Sequence, residues 1–265
     1  MGAALPACKT VAFLPLQFER PFQSLSLPSL KTRAVSSMSL QRGTNLYDYL
    51  RGEWEQSKEV KYLRGGGCGH MKGSVHFRPL VRGGSDGVLA FASPGDDEAP
   101  GQPPWLRLLL YDEAGEFHAE GMPTPLQVSR QYVFDCEESP CRVYFVDSQS
   151  CLKSFLESLA LCELKAGGQR GTDLPVEGSK EHEELEEAEK RREAVRNVCM
   201  RHLRFFHDLP FQDEKECRAH HLCVADNYDL QAFIVSDEAF QFLWRIQGPE
   251  KDGTIRQDFS RVQKP

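Results

Sequence analysis

Gly69-His70-Met71-Lys72-Gly73-Ser74-Val75-His76-Phe77-Arg78-Pro79 is the stretch that decides the fold. Met71, Gly73, Val75 and Phe77 alternate with His70, Lys72, Ser74 and His76. A period of two, with one apolar and one polar face, describes a strand that lies on a core with its other side in water. The same rhythm recurs along the chain. Trp105–Tyr111 reads as a strand with Leu106, Leu108 and Leu110 on one side. Ala114-Gly115 then reads as a turn into Glu116–Glu120. Leu126–Phe134 alternates again, with Arg130 in phase with Leu126, Val128, Tyr132 and Phe134. Glu137–Pro140 is a turn before the strand Arg142–Asp147. Three more strands, Tyr228–Val235, Phe240–Gln247 and Gly253–Val262, end the chain, the last two joined by the turn-rich Gly248–Gly253.

One section departs from this rhythm. Leu152, Phe155, Leu156 and Leu159 follow helical spacing, so Cys151–Lys165 is an amphipathic helix. After the polar linker Ala166–Ser179, Lys180–Leu203 is a second helix, acidic early and rich in arginine late, which complements the helix dipole. Its apolar stripe is thin: Leu185, Ala188, Val195, Val198 and Cys199. Such a pair reads either as a solvated inserted hairpin or as a helix that docks a partner.

Many short strands with tight turns indicate a mainly β fold, a sandwich or an antiparallel up-and-down β-barrel. A barrel removes exposed edges. With about eight to ten strands it encloses packed side chains or one small ligand.

Residues 1–43 are different. They hold Lys9, Arg20, Lys31, Arg33 and Arg42 against a single acid, Glu19, with many serines and with prolines at 6, 15, 21 and 28. That composition predicts an organelle-targeting extension, plastid before mitochondrion, with a plain cytoplasmic tail as the alternative. Residues 44–265 then form a single barrel domain interrupted at 148–203. The chain of 265 residues carries a formal charge of −7, which argues against a general nucleic-acid binder. No run approaches the roughly 20 apolar residues of a membrane span. Nine scattered cysteines do not form a secreted disulfide framework, and no zinc-ligand spacing occurs.

The order of motifs resembles a known family. Leu50-Arg51-Gly52-Glu53-Trp54 carries the Gly-x-Trp opening of calycin barrels such as lipocalins. It is followed by Lys72–Pro79, Leu109–Gly115, Arg130-Gln131-Tyr132, Val143–Asp147 and Phe205-Phe206-His207-Asp208-Leu209. His221-Leu222-Cys223, Asp226-x-Tyr228 and Trp244–Asp252 complete the series. The set is similar to the uncharacterised domain of unknown function 6314 family, over about 46–147 and 204–262. The resemblance implies a calycin-like barrel, here with an N-terminal extension and a helical insertion. It implies no activity. It also implies a late-strand arginine stacked on Trp54, with Arg245 or Arg256 as the candidates.

Candidate chemistry concentrates near the C-terminus, in His207, His221, Cys223, Asp226 and Tyr228. On one continuous strand His221 and Cys223 share a face and Asp226 and Tyr228 share the other; a turn or bulge near Ala225 would unite them. Together they support three chemistries. Asp226 could orient His221 as a general base with Tyr228 as acid, which would be a small cofactor-independent enzyme. The imidazoles and thiol could bind zinc. Or the set could hydrogen-bond a polar ligand, and the bland alternative is a buried network closed on itself. Arg130, inward by phase, is a possible anchor for a carboxylate or phosphate. Gly83-Gly84-Ser85-Asp86-Gly87 matches a nucleophile elbow, but strand-like residues follow where a helix is required. Cys136 and Cys141 flank a turn and can face each other, more plausibly as free thiols than as a disulfide. The reading is a barrel that binds a small polar or amphipathic molecule, with the enzyme and a partner-docking module as alternatives; no cofactor is singled out.

Overall fold

The computed structural model describes residues 46–82, 89–93, 107–167, 180–211 and 215–263. The expected targeting extension, 1–43, and the Gly-x-Ser-x-Gly run at 83–87 lie outside them. In chain order the elements are α1 (Leu46–Leu50), β1 (Gly52–Arg64), β2 (Gly69–Arg82), β3 (Leu89–Phe91), β4 (Leu108–Ala119), β5 (Leu126–Asp135) and β6 (Cys141–Phe145). Then come α2 (Gln149–Gly167), α3 (Lys180–His202), β7 (Arg204–Leu209), β8 (Glu216–Cys223), β9 (Asp226–Ser236), β10 (Ala239–Gln247) and β11 (Asp252–Arg261).

Ten of the strands form one antiparallel sheet in the order β7-β6-β5-β4-β2-β1-β11-β10-β9-β8, with β3 paired to β2 as a short flap. The order is an up-and-down meander whose first strand pairs its last, so the sheet curls into a nearly closed barrel. The seam falls between β7 and β8. The alternation that marked β2 as a strand is borne out: Met71, Val75 and Phe77 are buried while His70 and Lys72 are exposed.

β4 departs from expectation. Ala114-Gly115 does not turn; the strand runs unbroken through it and pairs β2 from Gly69↔Ala119 to Pro79↔Leu109. Gly73 and Gly115 stand opposite each other in that ladder. A Cβ on Gly73 would come within 2.2 Å of the Ala114 carbonyl oxygen. The glycines therefore let two strands approach closely at a bend, which is what a turn signal looks like when read locally. β4 is also buried on both faces at its start. Leu109 and Tyr111 point into the barrel core, while Leu108 and Leu110 point outward into a second core.

That second core explains the helices. Leu152, Phe155 and Leu159 of α2 and Val195, Val198 and Cys199 of α3 pack with Leu203 on Leu108, Leu110, Val133 and Tyr144. Val195, Val198 and Cys199 of the α3 stripe are thus covered by the barrel's outer wall. Ion pairs fasten the hairpin to the β5–β6 turn, Arg196 to Glu138 at 2.7 Å and Arg192 to Glu137 at 3.7 Å. Within that turn the Ser139–Pro140 peptide is cis. Cys136 and Cys141 flank it as free buried thiols, their sulfurs 3.1 Å apart.

The barrel's lower end is stoppered by α1. Tyr47, Tyr49 and Leu50 are buried against Trp54, which is 0% exposed. The Trp54 indole N–H donates to the Leu50 carbonyl at 2.7 Å. The guanidinium over Trp54 is that of Arg261, 4.2 Å from the ring centroid, and it also donates to the carbonyls of Arg51 and Tyr49. Arg245 and Arg256, expected in this place, both lie exposed on the outer rows of β10 and β11. Arg261 reaches the indole because β11 pairs with β1 in a register that sets it opposite Trp54.

Replacing Arg261 by lysine keeps the charge but loses the planar fork. We expect a loss of about 2 kcal/mol, from the weakened stacking and one missing charge-assisted hydrogen bond, measured by urea unfolding.

Candidate functional site

The inward rows of the barrel are apolar near α1 and become polar above it. Inward positions on β1 run Trp54, Gln56, Lys58, Val60; those on β4 run Leu109, Tyr111, Glu113, Gly115 and Phe117. Glu113, 2% exposed, accepts from the Lys58 ammonium at 2.7 Å and from the Tyr111 hydroxyl at 2.6 Å. The Gln56 amide N–H donates to the Tyr111 hydroxyl at 3.4 Å. These contacts cross over β2, and they can do so because Gly73 has no side chain between them. Burial and the neighbouring Glu113 carboxylate push the Tyr111 phenol well above its ordinary range. The Gln56 side-chain oxygen is buried and has no hydrogen-bond partner among the described residues. An unsatisfied buried acceptor is costly and stands ready for a donor. On the far wall the Trp244 indole N–H donates to Gln257 at 3.0 Å.

Toward the seam the interior is aromatic. Tyr132, Phe145, Phe206, His207, His221 and Trp244 form a continuous set of ring contacts. The His221 ring also meets the Phe206 ring across the seam at 4.7 Å, so β8 touches β7 through side chains where ladder pairing stops. Tyr132, Phe145, Phe206, His221 and Trp244 are only half-buried. Side chains on these inward rows keep partial contact with water at this end.

His207 is the buried polar member of this wall. Burial lowers its pKa to about 4; the hydrogen bond to the Asp208 carbonyl opposes the shift, and His221 adds to it. It is neutral at pH 7. A carbonyl can only accept, so Nδ1, 3.1 Å from that oxygen, carries the proton. Burial likewise lowers the pKa of His221.

The residues singled out in the sequence are only partly brought together. β8 and β9 form a tight hairpin turning at Val224-Ala225, so Tyr228 stands directly opposite His221 and Asp226 opposite Cys223. The His221 and Tyr228 rings lie 6.2 Å apart on the inner side. Asp226 faces elsewhere. Its carboxylate accepts the backbone N–H groups of Glu250 and Lys251 at 3.0 and 3.1 Å, bracing the β10–β11 turn. Tyr228 receives a hydrogen bond from Lys251 at 3.0 Å. An Asp226–His221–Tyr228 relay is therefore not assembled. Cys223 is half-buried at the rim. Arg130 keeps the inward row, opposite Glu113, but the row has reached the open end there and the side chain is exposed. Among the described residues no group of three or more His, Cys, Asp or Glu is placed to hold a metal ion. No helix among the described residues is long and apolar enough to cross a membrane.

The family description "Family of unknown function (DUF6314)" matches residues 50–173 and 179–261. The chain belongs to this family. The match runs through both α2 and α3, where the motif resemblance had been placed only at 46–147 and 204–262. No curated protein matches the sequence. Among solved structures the chain is similar to an S-type phycobiliprotein lyase from Guillardia theta. That likeness has 7% identity and a TM-score of 0.41, over 86% of this chain and 95% of that one. It is also similar to a redesigned beta barrel, mFAP1, bound to DFHBI, at 8% identity and a TM-score of 0.24, over 82% and 100%. At such scores neither likeness bears on what this member of the family binds.

Two outcomes test the site as described. Glu113→Ala leaves the Lys58 ammonium, 16% exposed, without its partner, and is expected to cost about 3–5 kcal/mol in urea unfolding. Adding Lys58→Met should recover most of that loss. The second concerns pH. His207 takes its proton at 6.5 when unfolded and at about 4 when folded, so the unfolded chain gains protons first as pH falls. Its contribution is intact above pH 6.5 and about 3 kcal/mol is lost by pH 4. Unfolding curves of His207→Gln should show a shallower decline over that window than the native protein.

Proposed function

We propose that this member of the family binds a small amphipathic molecule inside the barrel. The observation that carries the reading is the half-burial of inward-facing Tyr132, Phe145, Phe206, His221 and Trp244. A filled barrel buries such residues completely; here water reaches them. The apolar part of the molecule lies along this aromatic wall. Its polar part faces the Gln56, Lys58, Tyr111 and Glu113 network, where the unpaired Gln56 oxygen accepts a donor. A ligand of mixed character satisfies both regions, whereas a plain hydrocarbon would leave the polar groups desolvated and unpaired. Neutral His207, with its Nε2 free to accept by the tautomer above, adds a second acceptor on the opposite wall.

Native and denaturing mass spectrometry of the full chain, isolated from cells of its source, tests this. A mass excess that disappears on denaturation is the expected result, and it should be lost on replacing Gln56 and Glu113 by leucine while the fold, followed by circular dichroism, persists. A native mass equal to the bare chain, with no small molecule raising its melting temperature in a broad ligand screen, overturns the reading.

A further inference from the structure

The side chain of Phe206 is surrounded like a guest. Its plane lies 19° from that of Trp244 with centroids 5.5 Å apart, and 19° from that of Tyr132 at 5.8 Å. The rings of Phe145, His207 and His221 approach it at 43–71°, at 4.3, 4.4 and 4.7 Å. Two near-parallel rings on its faces and three tilted rings around it form an arrangement that selects a flat π system, because the faces gain by offset stacking and the tilted rings by edge contacts.

Phe206 is weakly tied to this place. Val143 pairs with His207 and Tyr144 with Phe205, so Phe206 is the extra residue of a β-bulge. A bulged residue has no ladder partner to hold its direction. It sits beside the seam, where the sheet's hydrogen bonding stops, and it is half-buried. Cations stand on the outer side of the cage. The Arg204 guanidinium lies 4.6 Å from the Phe145 centroid and pairs with Asp147 at 2.8 Å, and Arg130, exposed on β5, acts with it against the larger effect of Glu113 at Tyr132.

We propose that this cage is the seat of the ligand, that the ring of Phe206 holds its place, and that the ligand is a flat conjugated ring system carrying an anionic group. The proposal rests on the ligand-binding reading above and narrows it to a chemical class.

The experiment compares 2-naphthoate with its saturated counterpart, decalin-2-carboxylate, on the full chain by calorimetry and Trp fluorescence. Both carry the same charge and nearly the same size; only one is flat. Phe206→Ala is expected to bind 2-naphthoate about tenfold more tightly than the native protein, the scale of one aromatic stacking contact. Decalin-2-carboxylate should gain less than about twofold, since stacking does not reward it. Phe206→Leu, which refills the cage without a flat ring, should show no gain for either. Equal gains for both probes, or none for naphthoate, overturn the proposal. Should Phe206→Ala not fold, saturation-transfer NMR of the native protein against Trp244→Leu decides the matter. Contact with naphthoate is expected in the first and lost in the second, and its absence from the native protein or persistence in the variant refutes the cage. Binding of other small molecules without any preference for flat rings removes only the ligand class; failure of every small molecule to bind removes the ligand-binding reading itself.

Discussion

The guanidinium of Arg261 over the indole of Trp54 joins the last strand to the first, and the rest of the molecule depends on that closure. β1 and β11 are about 200 residues apart along the chain, so their pairing carries the largest loop-closure entropy in the fold. Arg261 binds the indole face and two carbonyls around α1, which fixes the register of β11 and holds the stopper at the same time. With one end sealed by α1, the inward rows carry the polar groups above that plug and then a third apolar cluster, Val60, Met71 and Phe117, buried beyond them.

Closure from the β1–β11 side also decides where the barrel is weakest. The remaining join, β7 to β8, is made by neighbours in the chain and is bridged by the ring contact of His221 with Phe206 rather than by a ladder. The β5–β6 side adjoining that seam is stiffened from outside, because α2 and α3 cover β4, β5 and β6 with a second apolar core. The hairpin thus supports a wall that a ten-strand sheet of this curvature would otherwise leave wet. A wall packed from outside thus stands beside a seam joined by ring contacts.

What could be read from the sequence follows from where water touches the strands. Most of β2, the first half of β5 and β10 have one wet face, and their alternation is visible. β4 has two dry faces at its start and a glycine within it, so Leu108 and Leu110, read as one apolar side, face the second core while Leu109 and Tyr111 face the barrel. α1 is five residues long and gives no periodic signal. Glu113 was missed for a similar reason. An acid in a strand reads as solvent-facing until its partners are known, and Lys58 is 55 positions away. The usable signal was its phase with Leu109 and Tyr111, which the supposed turn at Ala114-Gly115 concealed. The aromatic wall was half legible: Tyr132 and Trp244 lay in alternating runs, whereas Phe206 is inward only because of a bulge.

Asp226 shows why residue type alone misleads. A carboxylate five positions from a histidine invites a catalytic reading, yet a carboxylate can equally accept backbone N–H groups, and a turn of Gly248-Pro249-Glu250-Lys251 has N–H groups to satisfy. Those amides are fixed by the fold and lie at the rim, so they hold the acid there. His221 is then left without a carboxylate and with burial lowering its pKa, which makes it a neutral imidazole beside aromatic rings. Neutral imidazoles, phenols and an indole form a surface that recognises shape and π character, with charge confined to the Lys58–Glu113 pair and to the arginines at the mouth. That division sets a wall of aromatic rings near the seam apart from a single buried ion pair deeper in the barrel.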